Sequence, residues 1–121
     1  MTSDSLIALT NKVIHFRDAR NWHQFHNSKD MALALITEVA ELLELMQWKN
    51  GDELIHHLAQ KRPEVRGELA DIFYCLLIIA HDLQIDLAEA LTDKMEVNIA
   101  QYPVEKFYNS SKKYSDPESD Q

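Results

Sequence analysis

The segment that decides the fold is Ala34–Lys49, which reads ALITEVAELLELMQWK. Its apolar residues recur at the spacing of an amphipathic helix. Yet Glu38, Glu41 and Glu44 lie in the middle of this segment. Burying a carboxylate is unfavourable unless the group is paired or bound to a metal. These acids therefore either face solvent at a helix edge or belong to a site.

A second long apolar segment has the same design. Pro63 suits the first turn of a helix that continues through ELADIFYCLLIIAHDL to about Leu83 and carries Glu68 and Asp71. Each of the two helices thus presents two carboxylates three residues apart, on or beside its apolar stripe. If these faces meet, four carboxylates converge, and cations must offset their repulsion. Oxygen ligands suit magnesium or manganese better than zinc.

The rest of the sequence predicts an all-α protein, because glycine and proline are scarce and apolar residues rarely alternate. We expect a four-to-five-helix bundle, with one domain over residues 1–108 and a polar, partly mobile tail over 109–121. The DLAE sequence from Asp86 supplies an N-cap acid and a Glu three residues later. Besides the helix from Pro63, helices are expected over about 5–19, 30–48 and 86–102, with a short helix or turn over 52–60.

Composition limits the classes of partner and compartment. With 20 acidic and 12 basic residues, the net charge is −8, which disfavours nucleic-acid binding. The single cysteine, Cys75, cannot form an internal disulfide. The start MTSDSLIALTNK lacks the features of a signal peptide, and the run FYCLLIIA is too short to span a bilayer. We therefore expect a cytoplasmic protein with no membrane or nucleic-acid partner.

The acid pairs Glu38-x-x-Glu41 and Glu68-x-x-Asp71 resemble those of the all-α nucleoside triphosphate pyrophosphohydrolases, the MazG-like superfamily. The segments RNWHQFHNSKDMALALITEVAELLELMQWK, ELADIFYCLLIIA and DLAEALTDKMEVNIAQYP resemble its dCTP pyrophosphatase branch, over about residues 10–115. The resemblance implies Mg²⁺-dependent hydrolysis, with Mn²⁺ as a substitute, of a dNTP to dNMP and pyrophosphate. It favours dCTP, followed by dATP or modified nucleotides, and a house-cleaning role in the nucleotide pool.

The resemblance also implies roles for individual residues. The metal ligands would be Glu38, Glu41, Glu68 and Asp71. Of these, Glu41 is the first candidate, and Glu38 the second, for the catalytic carboxylate that positions or deprotonates the attacking water. The triphosphate-binding candidates are Lys94, Asn98 and Tyr102, which follow one another at i, i+4 and i+8 on one helix face. The base-binding candidates are the ring side chains Trp22, His26 and Trp48.

Two further aromatic residues, Phe25 and Tyr74, are expected outside the site. We expect Phe25 in the core rather than in the base pocket. Related sequences often have a tyrosine four residues after the last metal-binding aspartate, where this chain has Cys75. Tyr74 precedes that position by one residue, which is a rotation of about 100° on a helix. We therefore expect Tyr74 to point elsewhere.

The apolar arcs of the two acid-bearing helices are wider than one partner helix needs, which predicts a homo-oligomer. The family resemblance suggests a dimer, or a tetramer built as a dimer of dimers. Two other functions are compatible with a helical protein of this kind. A di-iron bundle requires two Glu-x-x-His motifs, but the only candidate is Glu53-x-x-His56. A non-catalytic oligomerisation or regulatory module would leave the acids as a solvated seam without metal affinity.

Overall fold

A computed structural model describes residues 5–116, and throughout this part of the chain all regular elements are helices. The all-α prediction is therefore confirmed. The α-helices are α1 (Leu6–Ala19), α2 (Ser28–Glu44), α3 (Gly51–Gln60), α4 (Arg62–Asp82), α5 (Leu87–Gln101) and α6 (Val104–Phe107), with a short 3-10 helix over Trp22–Phe25. No helix among the described residues has the length and apolar character needed to cross a membrane.

Three of the helices begin at side chains that accept a backbone N–H of the first turn. The hydroxyl of Ser5 accepts the N–H of Ala8 at 3.1 Å, and Asn27 Oδ1 accepts that of Asp30 at 2.8 Å. Asp86 does the same for the N–H of Glu89, which confirms the start expected from the DLAE sequence. Such caps satisfy N–H groups that have no partner inside the helix.

The helix that carries Glu38 ends earlier than its apolar pattern suggests. Leu45 and Met46 donate their N–H groups to carbonyls three residues back, so the chain tightens into a turn after Glu44. Trp48 then adopts a left-handed backbone with φ of 69°. The expected continuation to Trp48 is therefore wrong, because i, i+3 turn bonds replace the helical ones before Asn50 and Gly51 are reached.

The chain divides into two compact units, Met1–Ile85 and Asp86–Gln121. In the first, α2 packs along α4, and α1 also contacts α4. The core of this unit is formed by Met31, Cys75 and Ile78. In the second unit, Tyr102 packs edge-to-face against Phe107 and Tyr114. The predicted single domain over 1–108 stays a prediction, and the end of the predicted tail, 117–121, lies outside the described residues.

A buried ion pair fastens α1 to the end of α4. Arg17 is 2% exposed, and its Nη1 donates to both carboxylate oxygens of Asp82 at 2.9 and 2.8 Å. Asp18 also contacts this guanidinium, at 3.4 Å from Nε, but its own side chain is 56% exposed. Asp82 is thus the principal charge partner of a cation that is almost entirely removed from water.

Candidate active site

Three carboxylates from two helices converge in the first unit. Glu38 and Glu41 lie one turn apart on α2, and Glu68 lies on the packed helix α4. One carboxylate oxygen from each of the three lies within 4.8 Å of the others. Helix α2 therefore presents its acid pair to α4, and the condition stated for the sequence, that the two acid-bearing faces meet, is fulfilled for these three residues.

Two of these carboxylates have an oxygen without a partner. Glu38 and Glu68 are half-buried, and the Oε2 atom of each is enclosed and accepts no hydrogen bond among the described residues. An enclosed anionic oxygen is costly unless a cation or a donor approaches it. The enclosed oxygens and the all-oxygen donor set fit a hard divalent cation. Together the three residues form an acidic group able to hold a metal ion.

The crowding of the acids perturbs their ionisation. The pKa of Glu38 is raised from 4.5 to about 7. The largest cause is the Glu68 carboxyl, with which Glu38 can share a proton, followed by burial and by the neighbouring acids Glu41 and Asp71. Proton sharing lowers the pKa of Glu68, but burial and the charges of Glu41 and Asp71 outweigh this and raise it. Without a cation, the group therefore holds a proton more tightly than isolated glutamates do.

Asp71 lies beside the three glutamates rather than within their group. It is exposed, and it is outside the set whose oxygens lie within 4.8 Å of one another. Its charge nevertheless raises the pKa of Glu38 and of Glu68. Asp71 also lines two neighbouring cavities. It therefore faces the space next to the glutamates, and its predicted role as a metal ligand stays a prediction.

The two cavities have volumes of about 440 and 300 Å³ and share three residues, Trp22, Asp71 and Tyr74. Lys12, Val13 and Phe16 of α1 complete the lining of the larger one. The smaller one is also lined by His26, Asp30, Met31, Ala34, Glu38 and Cys75. Because Glu38 and Asp71 both line the smaller cavity, a ligand bound there also contacts acidic side chains of the site.

Aromatic rings form one wall of these cavities. Trp22 packs edge-to-face against Phe16, with 5.5 Å between ring centroids, and against His26 at 6.3 Å. Phe16 also packs edge-to-face against Tyr74 at 6.2 Å. Trp22 keeps 39% of its surface exposed, so its ring is fixed by neighbours and still accessible. Such a ring can stack a flat heterocycle.

The sequence position where related chains have a tyrosine is part of the cavity wall. Cys75 is buried there, and burial, followed by the charges of Glu38 and Asp71, raises the pKa of its thiol. It is therefore a poor nucleophile and acts as a small apolar surface. Tyr74 lines both cavities. The expectation that Tyr74 points elsewhere is wrong, because both side chains border the space between α4 and the aromatic wall.

Two other aromatic residues lie apart from this wall. Trp48 is 90% exposed and lines neither cavity, so its predicted base contact stays a prediction. Phe25 is 65% exposed, and the expectation that it belongs to the core is wrong. The 3-10 helix around Phe25 holds Trp22 on the cavity side and leaves Phe25 outside the core.

The predicted triphosphate contacts belong to the second unit. Lys94 and Asn98 lie on α5, and Asn98 donates its side-chain amide to Met95 Sδ at 3.9 Å. Tyr102 is the C-cap of α5 and leaves helical geometry, with φ of −123° and ψ of 61°. The helix therefore places Lys94 and Asn98 at the predicted spacing, and the role of all three residues stays a prediction.

The di-iron alternative finds no support in the described residues. The group of possible metal ligands found there contains three glutamates and no histidine. The Glu53-x-x-His56 motif lies on α3, where Glu53 forms an ion pair with Lys49 at 3.8 Å.

Comparison with known proteins gives one consistent result. Residues 34–116 match the family model of the MazG-like family. Over 103 residues the chain is 37% identical to dCTP pyrophosphatase 1 of Mus musculus and 36% identical to that of Homo sapiens. These alignments cover 84% of this chain and 61% of each relative. A solved pyrophosphatase structure from Archaeoglobus fulgidus is 36% identical, with a TM-score of 0.79, covering 85% of this chain and 96% of that one.

Proposed function

Because this chain belongs to the MazG-like family, we propose that it is a nucleoside triphosphate pyrophosphohydrolase. It would hydrolyse a dNTP to dNMP and pyrophosphate and so remove surplus or modified nucleotides from the pool. The observation that carries the proposal is the convergence of Glu38, Glu41 and Glu68 within 4.8 Å, next to a cavity walled by Trp22. A metal-binding acid group beside an accessible aromatic ring suits a substrate with a phosphate chain and a flat base.

The metal proposed for this site is Mg²⁺, with Mn²⁺ as a substitute. Glu38, Glu41 and Glu68 would hold it, and Asp71 is proposed as a further ligand from its place beside them. When bound, the cation supplies the positive charge that offsets the phosphate oxygens and the charge that develops during cleavage. The enclosed oxygens of Glu38 and Glu68, which have no partner among the described residues, support this assignment.

The chain's own side chains would divide the remaining work. Glu41 is the exposed member of the acid group, so it is the carboxylate that an attacking water can reach and the one proposed to orient it or accept its proton, with Glu38 as second candidate. Trp22 and His26 would stack and border the base. Lys94, Asn98 and Tyr102 are proposed to bind the triphosphate as a point charge and hydrogen-bond donors.

The preferred substrate proposed is dCTP, followed by dATP or modified deoxynucleotides. The names of the mouse and human relatives support dCTP, but this chain spans only 61% of their length, so the substrate is a proposal for this protein. The net charge of −8 supports the expectation that it has no nucleic-acid partner. We also propose a cytoplasmic location, where dNTPs are available.

We propose that the protein works as a homo-oligomer, either a dimer or a dimer of dimers. Large apolar side chains remain exposed at helical spacing on both acid-bearing helices. On α2 they are Leu33, Ile36, Val39 and Leu43, and on α4 they are Leu69, Phe73 and Leu76. Such contiguous apolar faces on a domain of this size are typical of surfaces that a second copy covers.

The test is pyrophosphate release from a panel of NTPs, dNTPs and modified dNTPs, with and without Mg²⁺. Wild type is compared with Glu41→Gln and Asp71→Asn, which should both lose metal-dependent turnover by about a hundred-fold or more. Glu44→Gln is the matched control, because Glu44 is an exposed acid on the same helix outside the acid group; it should retain activity. A folded wild-type protein that hydrolyses no nucleotide would refute the proposal and favour the non-catalytic module.

A further inference from the structure

The cavity of about 300 Å³ contains two polar groups that the acid site does not use. They are His26, at the end of the 3-10 helix, and Asp30, in the first turn of α2. Both face the space that Trp22 also lines. A base stacked on Trp22 would thus have one hydrogen-bonding edge near these two side chains.

The Asp30 carboxylate is available to a ligand. Its backbone N–H donates to Oδ1 of the N-cap residue Asn27. The exposed carboxylate has no hydrogen bond or ion pair with any other described residue. An ionised carboxylate only accepts hydrogen bonds. A neutral base that approaches Asp30 therefore gains a hydrogen bond only if it offers an N–H or O–H group.

His26 can supply a hydrogen-bond donor to the same ligand. Its Nδ1 is enclosed and has no hydrogen-bond partner among the described residues. An enclosed N–H without an acceptor costs more than an enclosed bare nitrogen, so Nε2 is the ring nitrogen assigned the N–H. Nε2 is then the ring atom able to donate to a ligand.

We propose that Asp30 and His26 select bases by the edge that carries an exocyclic amino group next to an unprotonated ring nitrogen. The amino group would donate to Asp30, and the ring nitrogen would accept from His26. On the Watson–Crick edge, cytosine presents this pair as N4 and N3, and adenine presents it as N6 and N1. At the same positions uracil, thymine and guanine present a carbonyl next to a ring N–H. This inference rests on the proposed function and narrows its substrate class to cytosine and adenine nucleotides.

An ordinary reason for an aspartate at this place is the partial positive charge of a helix N-terminus. Asp52 also lies at a helix N-terminus but away from the cavities. It is an exposed acid in the first turn of α3 and lines none of the cavities described above. Asp52→Asn is therefore the matched control for Asp30→Asn, since both remove one charge from a helix start. The two substitutions should differ in substrate preference only if Asp30 contacts the base.

The experiment measures kcat/KM for dCTP and dUTP, which differ only in the group at position 4 of the base and the protonation of the adjacent ring nitrogen. Asp30→Asn offers a donor as well as an acceptor, so the ratio of dCTP to dUTP should fall by about ten-fold or more. Asp52→Asn should leave the ratio unchanged within two-fold. An unchanged ratio in Asp30→Asn would overturn the inference while leaving the pyrophosphohydrolase proposal intact.

A binding measurement separates the two proposals completely. Calorimetric titration with the α,β-imido analogues of dCTP and dUTP, in the presence of Mg²⁺, requires no turnover. If wild type prefers the cytosine analogue and Asp30→Asn loses that preference, the inference is supported even where hydrolysis is absent. If wild type binds both analogues equally, or neither, the inference is refuted whatever the activity assay shows.

Discussion

Replacing Asp82 with asparagine should destabilise the protein far more than a surface substitution does. Arg17 is 2% exposed, and Asp82 accepts from its Nη1 at 2.8 and 2.9 Å. The asparagine side chain is nearly the same size but uncharged, which leaves the buried guanidinium without its principal counter-ion. Removing one partner of a buried pair costs about 3–5 kcal/mol. That is a large fraction of the roughly 5–15 kcal/mol by which a domain is stable.

The assay is equilibrium urea unfolding at one fixed protein concentration, so that any self-association is equal in all samples. With a slope of about 1.5 kcal/mol per molar urea, a loss of 3–5 kcal/mol lowers the midpoint by about 2–3 M. Asp18→Asn is the control: Asp18 touches the same guanidinium at 3.4 Å but is 56% exposed. Its midpoint should move by less than about 0.5 M.

A shift for Asp82→Asn as small as that of Asp18→Asn would refute the reasoning, since it would mean that water reaches Arg17. The double variant Arg17→Met with Asp82→Leu provides a second check. Replacing both charges with apolar groups removes the desolvation cost together with the attraction, so much of the lost stability should return. Asp82→Asn could lose about 3–5 kcal/mol while the double variant regains no stability. That result would indicate that the packing of the Arg17 side-chain stem, rather than the ion pair, provides most of the stabilisation.

Two further predictions concern the acid site and a strained turn. Glu38 has a pKa of about 7 when folded and 4.5 ordinarily, so the folded state binds more protons between these values and the metal-free protein should lose stability as pH rises from 4.5 to 7. Melting temperatures measured in EDTA should fall over this pH range, and Glu38→Gln or added Mg²⁺ should flatten the dependence. An equally steep dependence in Glu38→Gln would contradict the prediction. Trp48→Asn should raise the free energy of unfolding by about 0.5–1 kcal/mol in urea unfolding, because Trp48 is 90% exposed with φ of 69° and asparagine tolerates that backbone. A lower free energy of unfolding in the variant would show that the indole packs against another surface.

Sequence patterns predicted the structure correctly where residues close together in the chain determine it. The start of α5 at Asp86 followed from a cap that needs only the next turn. The acid spacing on α2 and α4 indicated that each acid pair shares one helix face on or beside the apolar stripe, because a helix projects residues three apart to the same side. The packing of α2 on α4 then brings Glu38 and Glu68 together.

Other features depended on contacts that no local pattern records. The end of α2 at Glu44 follows from turn bonds at Leu45 and Met46, although the apolar pattern continues beyond them. Phe25 looks like a core residue in sequence, but the 3-10 helix leaves it exposed. The Arg17–Asp82 pair joins residues 65 positions apart, and neither residue stands out from other charged residues in its helix.

The sequence by itself determined that the protein is helical and that two helices carry paired acids, because periodicity, caps and spacing are properties of a few consecutive residues. Only the tertiary structure decided how those acids are arranged. The packing of α2 on α4 encloses one oxygen each of Glu38 and Glu68, leaves Glu41 exposed and sets Asp71 beside them, facing the cavity. The physical reason is that burial and mutual repulsion of charges depend on distances across the bundle, which the order of residues along one helix does not fix.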